Sequence, residues 1–308
     1  VPWDIAFLPS GDALVSERES GKILDLPAGG GSPTTLTTVP GVVAEGEGGL
    51  LGLAVSPTYD RDHLIYAYFS ASSDNRVASI DTQTKAVKPI LTGIKKGQIH
   101  NGGALAFGPD GMLFVGVGET GDTGLAQQKT SLNGKILRIT ATGKVPKGNP
   151  FKGSPVWTYG HRNVQGFAWD KAGRMWASEF GQDTTDEVNL IRKGRNYGWP
   201  IVEGKGSTQG GKFTNPLATW TPTSTSSPSG AAIVGNTLYI GALAGRKLWK
   251  IPIHGASLGK PVGLLSGTYG RIRAVTAAPN GSIWFSTSNR DGRGSPVSSD
   301  DRIVQLGL

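Results

Sequence analysis

One unit recurs six times along the chain: a strand, a turn carrying Gly, Asn or Asp, and a second strand, with apolar residues alternating on both sides of the turn. The copies are Ala6 to Val15 around Ser10-Gly11-Asp12, Leu53 to Tyr68 around Asp60-Arg61-Asp62, Leu105 to Val115 around Pro109-Asp110-Gly111, Phe167 to Ala177 around Ala172-Gly173, Ala231 to Ile240 around Gly235-Asn236, and Val275 to Phe285 around Asn280-Gly281. Turns of this kind favour positive φ, and period-two alternation belongs to strands, so each copy reads as a β-hairpin. A third short alternating strand follows each one: Lys22 to Leu26, Arg76 to Ile80, Lys135 to Ile139, Glu187 to Ile191, Lys247 to Ile251 and Arg302 to Leu306. The turn-to-turn spacing, roughly 45 to 62 residues, is the length of a propeller blade. A sandwich would explain the alternation but not six returns of the same order. The sequence therefore predicts an all-β, six-bladed β-propeller of four-stranded antiparallel blades, with residues 1–308 forming one domain.

Composition fits that architecture. Gly is 47 of 308 residues, about twice the ~7% of an average protein, and charged residues are only 18%. The 37% hydrophobic content, spread along the chain, excludes disorder. No stretch approaches ~18 consecutive apolar residues, so no membrane span is expected. Gly, Ser, Thr and Pro gather at Gln127 to Lys129, Thr142 to Pro155 and Glu203 to Ser229, which read as loops. The net charge is +8, but the basic residues are scattered rather than gathered in a stripe, and nucleic acid is not an expected partner. The absence of Cys removes disulfides, zinc–thiolate sites, thiol nucleophiles and iron–sulfur clusters together. The sequence starts at Val1 without Met or a signal-like segment, consistent with a trimmed precursor, and a secreted, periplasmic or cell-surface location is the resulting expectation.

Propeller function resides in loops, so polar clusters at blade edges are the candidate sites. His63 and His254 read as structural or surface histidines, whereas His100 is followed by Gly102-Gly103, which let backbone approach a ligand while the imidazole serves as a base. Tyr159-Gly160-His161-Arg162-Asn163-Val164-Gln165 is dense in hydrogen-bonding side chains. Arg162 can bind a carboxylate through two bonds, and Asn163 can donate and accept. The stretch Glu179 to Glu187, continuing to Asn196-Tyr197-Gly198-Trp199-Pro200, is either a Ca²⁺ site built from carboxylates and carbonyls or a solvated acidic turn. Arg271-Ile272-Arg273 puts two guanidiniums on one face, which implies an anion between them. One histidine, three arginines and a Ca²⁺ candidate suit a small anionic ligand better than a polymer.

At these clusters the sequence resembles the soluble quinoprotein glucose dehydrogenase and aldose sugar dehydrogenase family, whose members bind pyrroloquinoline quinone (PQQ) on a six-bladed propeller. The resemblance covers essentially the whole chain. Its carriers are Pro2-Trp3 with Ala6-Phe7-Leu8-Pro9, Gly48-Gly49-Leu50-Leu51-Gly52-Leu53, the His100 loop, Gly160-His161-Arg162-Asn163, Asp186 to Ile191, Asn196 to Pro200 and Arg271-Ile272-Arg273. It implies oxidation of the C1 hydroxyl of an aldose to the lactone, with His100 as general base, hydride passing to the quinone C5, and an external electron acceptor of unknown identity. It also implies that Arg162, Asn163, Arg271 and Arg273 hold the quinone, that Gly181 and Gln182 give backbone carbonyls to a catalytic Ca²⁺, and that Glu187 and the Tyr197 carbonyl bind a second, structural Ca²⁺.

Three positions depart from the family pattern. Glu47 stands near the cofactor where the glucose dehydrogenases carry Gln, and Ile99 precedes His100 where they carry Asp. Ala244 falls where a quinone-contacting Lys is expected, and Arg246 or Lys247 is the candidate replacement. Two other functions compete: a Ca²⁺-dependent lactonase on a propeller, which does not need the arginines, and a quinone-free sugar-binding or protein-binding propeller. Neither the preferred sugar nor the oligomeric state is legible.

Overall fold

A computed structural model describes all residues from Val1 to Leu308. Twenty-four strands form six antiparallel sheets, each a meander in chain order. The only α-helix is the single turn Tyr59–Asp62. The first blade is Pro2–Phe7, Ala13–Glu17, Lys22–Leu26 and Thr34–Thr38, and the second is Leu50–Val55, Leu64–Ser70, Asn75–Asp81 and Val87–Ile94. The third contains Leu105–Phe107, Leu113–Val117, Lys135–Ile139 and Val156–Tyr159, and the fourth Val164–Trp169, Met175–Glu179, Asp186–Ile191 and Ala218–Trp220. The fifth adds a short fifth strand, Ser257–Leu258, to Pro228–Val234, Thr237–Ala242, Lys247–His254 and Val262–Leu264. The sixth stops at three strands, Ile272–Ala277, Ile283–Thr287 and Ile303–Leu306.

First strands of successive blades pack around a central axis, and Pro2–Phe7 meets Ile272–Ala277 to close the ring. The apolar residues form six clusters, one for each interface between neighbouring blades. Since both faces of a blade are covered, Leu113–Val117 and Met175–Glu179 are buried along their whole length. These second strands read as nearly continuous apolar runs, not the alternation of a half-solvated sheet.

Four blades are tied to the next by a side chain at one equivalent place on the second strand. Ser16 donates to the Leu51 carbonyl at 2.6 Å, Tyr68 to Asn101 at 2.7 Å, Ser178 to Ser229, and Ser286 to Pro2 at 3.3 Å. Ser16 and Ser286 also accept the backbone N–H of Asp4 and Ala274, each at 3.0 Å, where the first strand is locally out of register.

The expected loop from Glu203 to Ser229 is not wholly loop. Ala218–Trp220 pairs with Asp186–Val188 as the outer strand of the fourth blade, and Pro228 already begins the fifth. Trp220 stacks on Trp249 of the fifth blade at 5.2 Å, and that burial fixes a strand inside a Thr-rich run.

Candidate active site

Segments entering the first strand of each blade and segments leaving the second strand share one face of the ring. That face gathers Glu47, His100, Glu119, Arg162, Gly181 and Arg271 from the second, third, fourth and sixth blades. They surround a cavity of about 300 Å³, lined by Glu47, His100, Arg162, Gly181, Gln182 and Arg271 together with Asp186, Ala244 and Arg293. Glu119 stands just behind it, bonded to His100. A smaller space of about 60 Å³, lined by Trp3, Gln165, Arg273 and Asp291, shares Glu47, Phe180 and Arg293 with it.

His100 has φ 54°, in the left-handed region where a non-Gly residue is uncommon. Three contacts hold it there. Its N–H donates to Glu47 at 2.9 Å, its carbonyl accepts Thr120 N–H at 3.2 Å, and Nδ1 is hydrogen-bonded to the Glu119 carboxylate. Gly102 and Gly103 also have positive φ, and a Cβ on them would strike the Gly116 carbonyl and the Trp3 ring respectively. Asn163 is almost wholly buried, and its side-chain oxygen accepts Gly102 N–H at 3.0 Å and Gln165 Nε2 at 3.1 Å. Through that oxygen Asn163 positions the His100 loop.

The imidazole is fixed at both nitrogens. The Arg162 guanidinium can only donate, so Nε2, 2.9 Å from its Nη2, is the acceptor and Nδ1 carries the hydrogen that meets Glu119. Arg162 also donates to the Phe180 carbonyl at 3.2 Å and lies over the Trp199 ring. Its Nε is buried without a partner.

Arg271 and Arg273 both face the centre of the ring. Arg271 donates through Nε and Nη2 to Asp291 at 2.9 and 2.8 Å. Arg273 donates to Gln165 at 2.9 Å, stacks on Trp3, and likewise keeps a buried, partnerless Nε. Burial pushes the pKa of both Arg162 and Arg273 down, the latter to about 10. Two unmatched guanidinium donors beside a cavity are the chemistry of an anion or carbonyl receptor.

The loop from Gly181 to Thr185 wraps around Glu203, whose carboxylate accepts N–H from Gln182 at 2.8 Å and Thr185 at 3.1 Å. A Cβ on Gly181 would strike the Thr185 carbonyl. The Gly181 and Gln182 carbonyls accept no backbone hydrogen bond, and neither does that of Tyr197. Asp186 accepts Gly181 N–H at 2.9 Å and Ser227 N–H at 2.7 Å, and burial nevertheless pushes its carboxyl up to about 7.

Behind Gly181, Glu179 and Glu187 share one amide: Asn189 Nδ2 reaches them at 3.4 and 3.0 Å. Burial raises the Glu187 carboxyl well above the usual range, and the charge of Glu179 raises it further. A cation is the simplest relief for such a pair. A space of about 10 Å³ between Glu179, Glu187, Tyr197 and Trp199 offers a place for one. No three His, Asp or Glu side chains converge with metal-ligand spacing, so ion binding here depends on carbonyl oxygens beside paired carboxylates. His161, buried between Thr158 and Glu179 at 2.8 Å each, supports this region rather than facing the cavity.

Arg246 is not brought in. It is exposed at φ 50° in a turn of the fifth blade, while Ala244 lines the cavity. Lys247 Nζ lies over Trp249, 4.9 Å from the ring centre. Sequence reasoning missed Glu119, Asp291, Arg293 and Glu203. Only Glu119 carried a local signal, an acidic residue directly after the apolar run Leu113–Val117 and Gly118.

A larger cavity, about 370 Å³, lies between the third and fourth blades around Phe114, Trp157 and Trp169. It is bounded by hairpin turns at Asp110 and Gly173, at the opposite ends of the strands, and its Asp110 and Arg174 are already paired with Arg138 and Asp170. These polar groups are matched by their neighbours, unlike the guanidinium Nε atoms of Arg162 and Arg273.

The glucose/sorbosone dehydrogenase family model matches residues 1–297. Among characterised relatives, the aldose sugar dehydrogenase YliI of Escherichia coli is 30% identical over 336 aligned residues, covering 94% of this chain and 88% of that protein. Quinoprotein glucose dehydrogenase B of Acinetobacter calcoaceticus is 34% identical over 254 residues, covering 70% of this chain and 53% of its own length. Among solved structures, the PQQ-bound aldose sugar dehydrogenase of Streptomyces coelicolor superposes with a TM-score of 0.95 at 51% identity, covering 99% of this chain and 93% of that one. With a family match spanning residues 1–297, the chain belongs to the glucose/sorbosone dehydrogenase family.

Proposed function

We propose that this protein is a PQQ- and Ca²⁺-dependent aldose dehydrogenase that oxidises the C1 hydroxyl of a sugar to the lactone and passes the electrons to an external acceptor. The observation that carries the reading is the pairing of a held imidazole with two buried, incompletely matched arginines around one cavity. A lactonase would use the ion but leave those guanidiniums without purpose. The PQQ-bound relative supports the same cofactor here.

In this reading Arg162, Arg271 and Arg273 bind the acidic and carbonyl oxygens of the quinone. Asn163 keeps the His100 loop in place through its bond to Gly102. The carbonyls of Gly181 and Gln182 hold the catalytic Ca²⁺, and Glu187 with the Tyr197 carbonyl holds a structural one. Bound PQQ supplies a hydride-accepting carbonyl, and Ca²⁺ supplies a Lewis acid. His100 takes the proton of the C1 hydroxyl on Nε2, and Glu119 keeps the Nδ1–H tautomer and steadies the imidazolium that forms. Glu47 fixes the backbone of His100 from the opposite side.

Residues 1–308 act as one domain in this proposal, and the protein works outside the cytoplasm. No helix is long and apolar enough to cross a membrane. The test is to add PQQ and Ca²⁺ to apo-protein, follow the absorbance spectrum, and then measure dye reduction with glucose, galactose and xylose. Sugar oxidation that persists without quinone and after exhaustive Ca²⁺ removal would refute the proposal.

A further inference from the structure

Ala244 leaves one wall of the cavity without charge, and Arg246, two residues on, points elsewhere. A different residue is in place to supply it. The loop leaving the second strand of the sixth blade carries Asp291 and Arg293, and Asp291 accepts Arg293 N–H at 2.9 Å while pairing with Arg271. That double role anchors the loop over the site. Arg293 lines both the 300 Å³ cavity, which it shares with His100 and Arg271, and the 60 Å³ space beside it, which it shares with Arg273.

The pairing of Arg293 is incomplete. Its Nη1 meets Glu47 at 2.9 Å, yet the side chain is 60% exposed, against 9% for Arg271. The Glu47 carboxyl is held below its usual pKa: burial acts to raise it, but the His100 N–H and the Arg293 charge outweigh burial and favour the carboxylate. Arg271 is already matched by Asp291, so its charge is largely neutralised before any ligand arrives. A ligand with several carboxylates therefore meets less free positive charge than three arginines would suggest, and Arg293 adds a fourth guanidinium with donors to spare beside those of Arg162 and Arg273.

We propose that Arg293 binds a carboxylate of the quinone, doing from the sixth blade what a lysine at position 244 would do from the fifth. The inference rests on the PQQ reading above. Arg293 turns from Glu47 alone to a bridge between Glu47 and the ligand, so cofactor loading also draws in the carboxylate that holds His100.

The experiment titrates apo-protein with PQQ at fixed Ca²⁺, following quenching of tryptophan fluorescence, for wild type, Arg293→Ala, Glu47→Gln, Arg271→Ala and the double variant Arg293→Ala/Ala244→Lys. Loss of a charge-assisted bond should weaken PQQ binding by about 10- to 100-fold in Arg293→Ala. The double variant should recover most of that loss, and Glu47→Gln, which frees Arg293, should bind PQQ at least as tightly as wild type. Unchanged affinity in Arg293→Ala beside weakened affinity in Arg271→Ala overturns this inference and leaves the quinone reading standing. A loss in Glu47→Gln equal to that in Arg293→Ala also overturns it, because Arg293 would then act only by holding Glu47. Wild-type protein that takes up no PQQ overturns both.

Discussion

Glu119 is bonded to His100 Nδ1, and 1% of its side chain is exposed. The carboxylate fixes which ring nitrogen carries hydrogen, and it places the acceptor nitrogen 2.9 Å from Arg162. Glu119→Gln presents an amide that can donate to Nδ1 and so favours the wrong tautomer. We expect turnover to fall by at least about 10²-fold while the KM for sugar changes little. Steady-state kinetics at saturating PQQ decide this, and a variant with unchanged kcat would reduce Glu119 to a packing residue.

His100→Ala removes the proposed base but leaves Arg162, Arg271 and Arg273 intact. Quinone binding should persist, and turnover should drop by at least about 10²-fold. If the variant oxidises sugars like its parent, proton transfer uses another group.

Ca²⁺ removal should abolish activity, and readdition should restore it. A more specific prediction concerns Glu187, whose burial near Glu179 is costly while no cation is present. Ca²⁺ should raise the thermal midpoint of wild-type protein by about 5 °C or more at saturation. In Glu187→Gln the apo form should melt at or above the wild-type apo midpoint, and the response to Ca²⁺ should shrink. A variant that keeps the full Ca²⁺ response shows that Glu187 is not a ligand.

Asp4, on the first strand of the first blade, gives a pH prediction away from the site. Burial pushes its carboxyl up to about 7, against the lowering effect of the Leu53 and Ile5 N–H groups, both at 2.9 Å. In the unfolded chain it titrates near 3.9, so between those values the native state keeps a proton that the unfolded state has lost. The associated stability is full below about pH 4 and is lost as pH rises through about 7. Asp4→Asn cannot ionise, so the loss of stability between pH 5 and 8 should be smaller by about 2 kcal/mol at most. Parallel melting curves across that range would exclude the assignment.

The architecture was legible because each hairpin is local: a turn and two runs within about a dozen residues announce a blade without knowledge of its neighbours. His100, Arg162 and the Arg271-Ile272-Arg273 pair were legible for a related reason, since polar residues interrupt apolar patterns there. Glu119 and Arg293 were not. Glu119 shows only as an acidic residue closing an apolar run, its bond to His100 being made by the fold, and the role of Arg293 arises from its contact across the ring with Glu47, which nothing near it in the chain reports. Ala218–Trp220 was hidden for the opposite reason, because a Thr-rich composition concealed a strand that the Trp220–Trp249 stack makes certain. Arg246 looked close to the site in sequence, but a turn at positive φ directs it to solvent.

The seam between the first and sixth blades joins residues almost a full chain length apart: the bond from Ser286 to Pro2 spans 284 positions. Its apolar cluster is also the smallest of the six, with four buried residues. Contacts of such long range cost the most loop entropy and form late. A nascent chain with five blades already has His100 and Arg162, yet it lacks Arg271, Arg273 and Arg293 until the final blade docks. Receptivity to a redox-active anion thus arrives only with completion of the circle, and an unfinished chain has little means of capturing a reactive quinone.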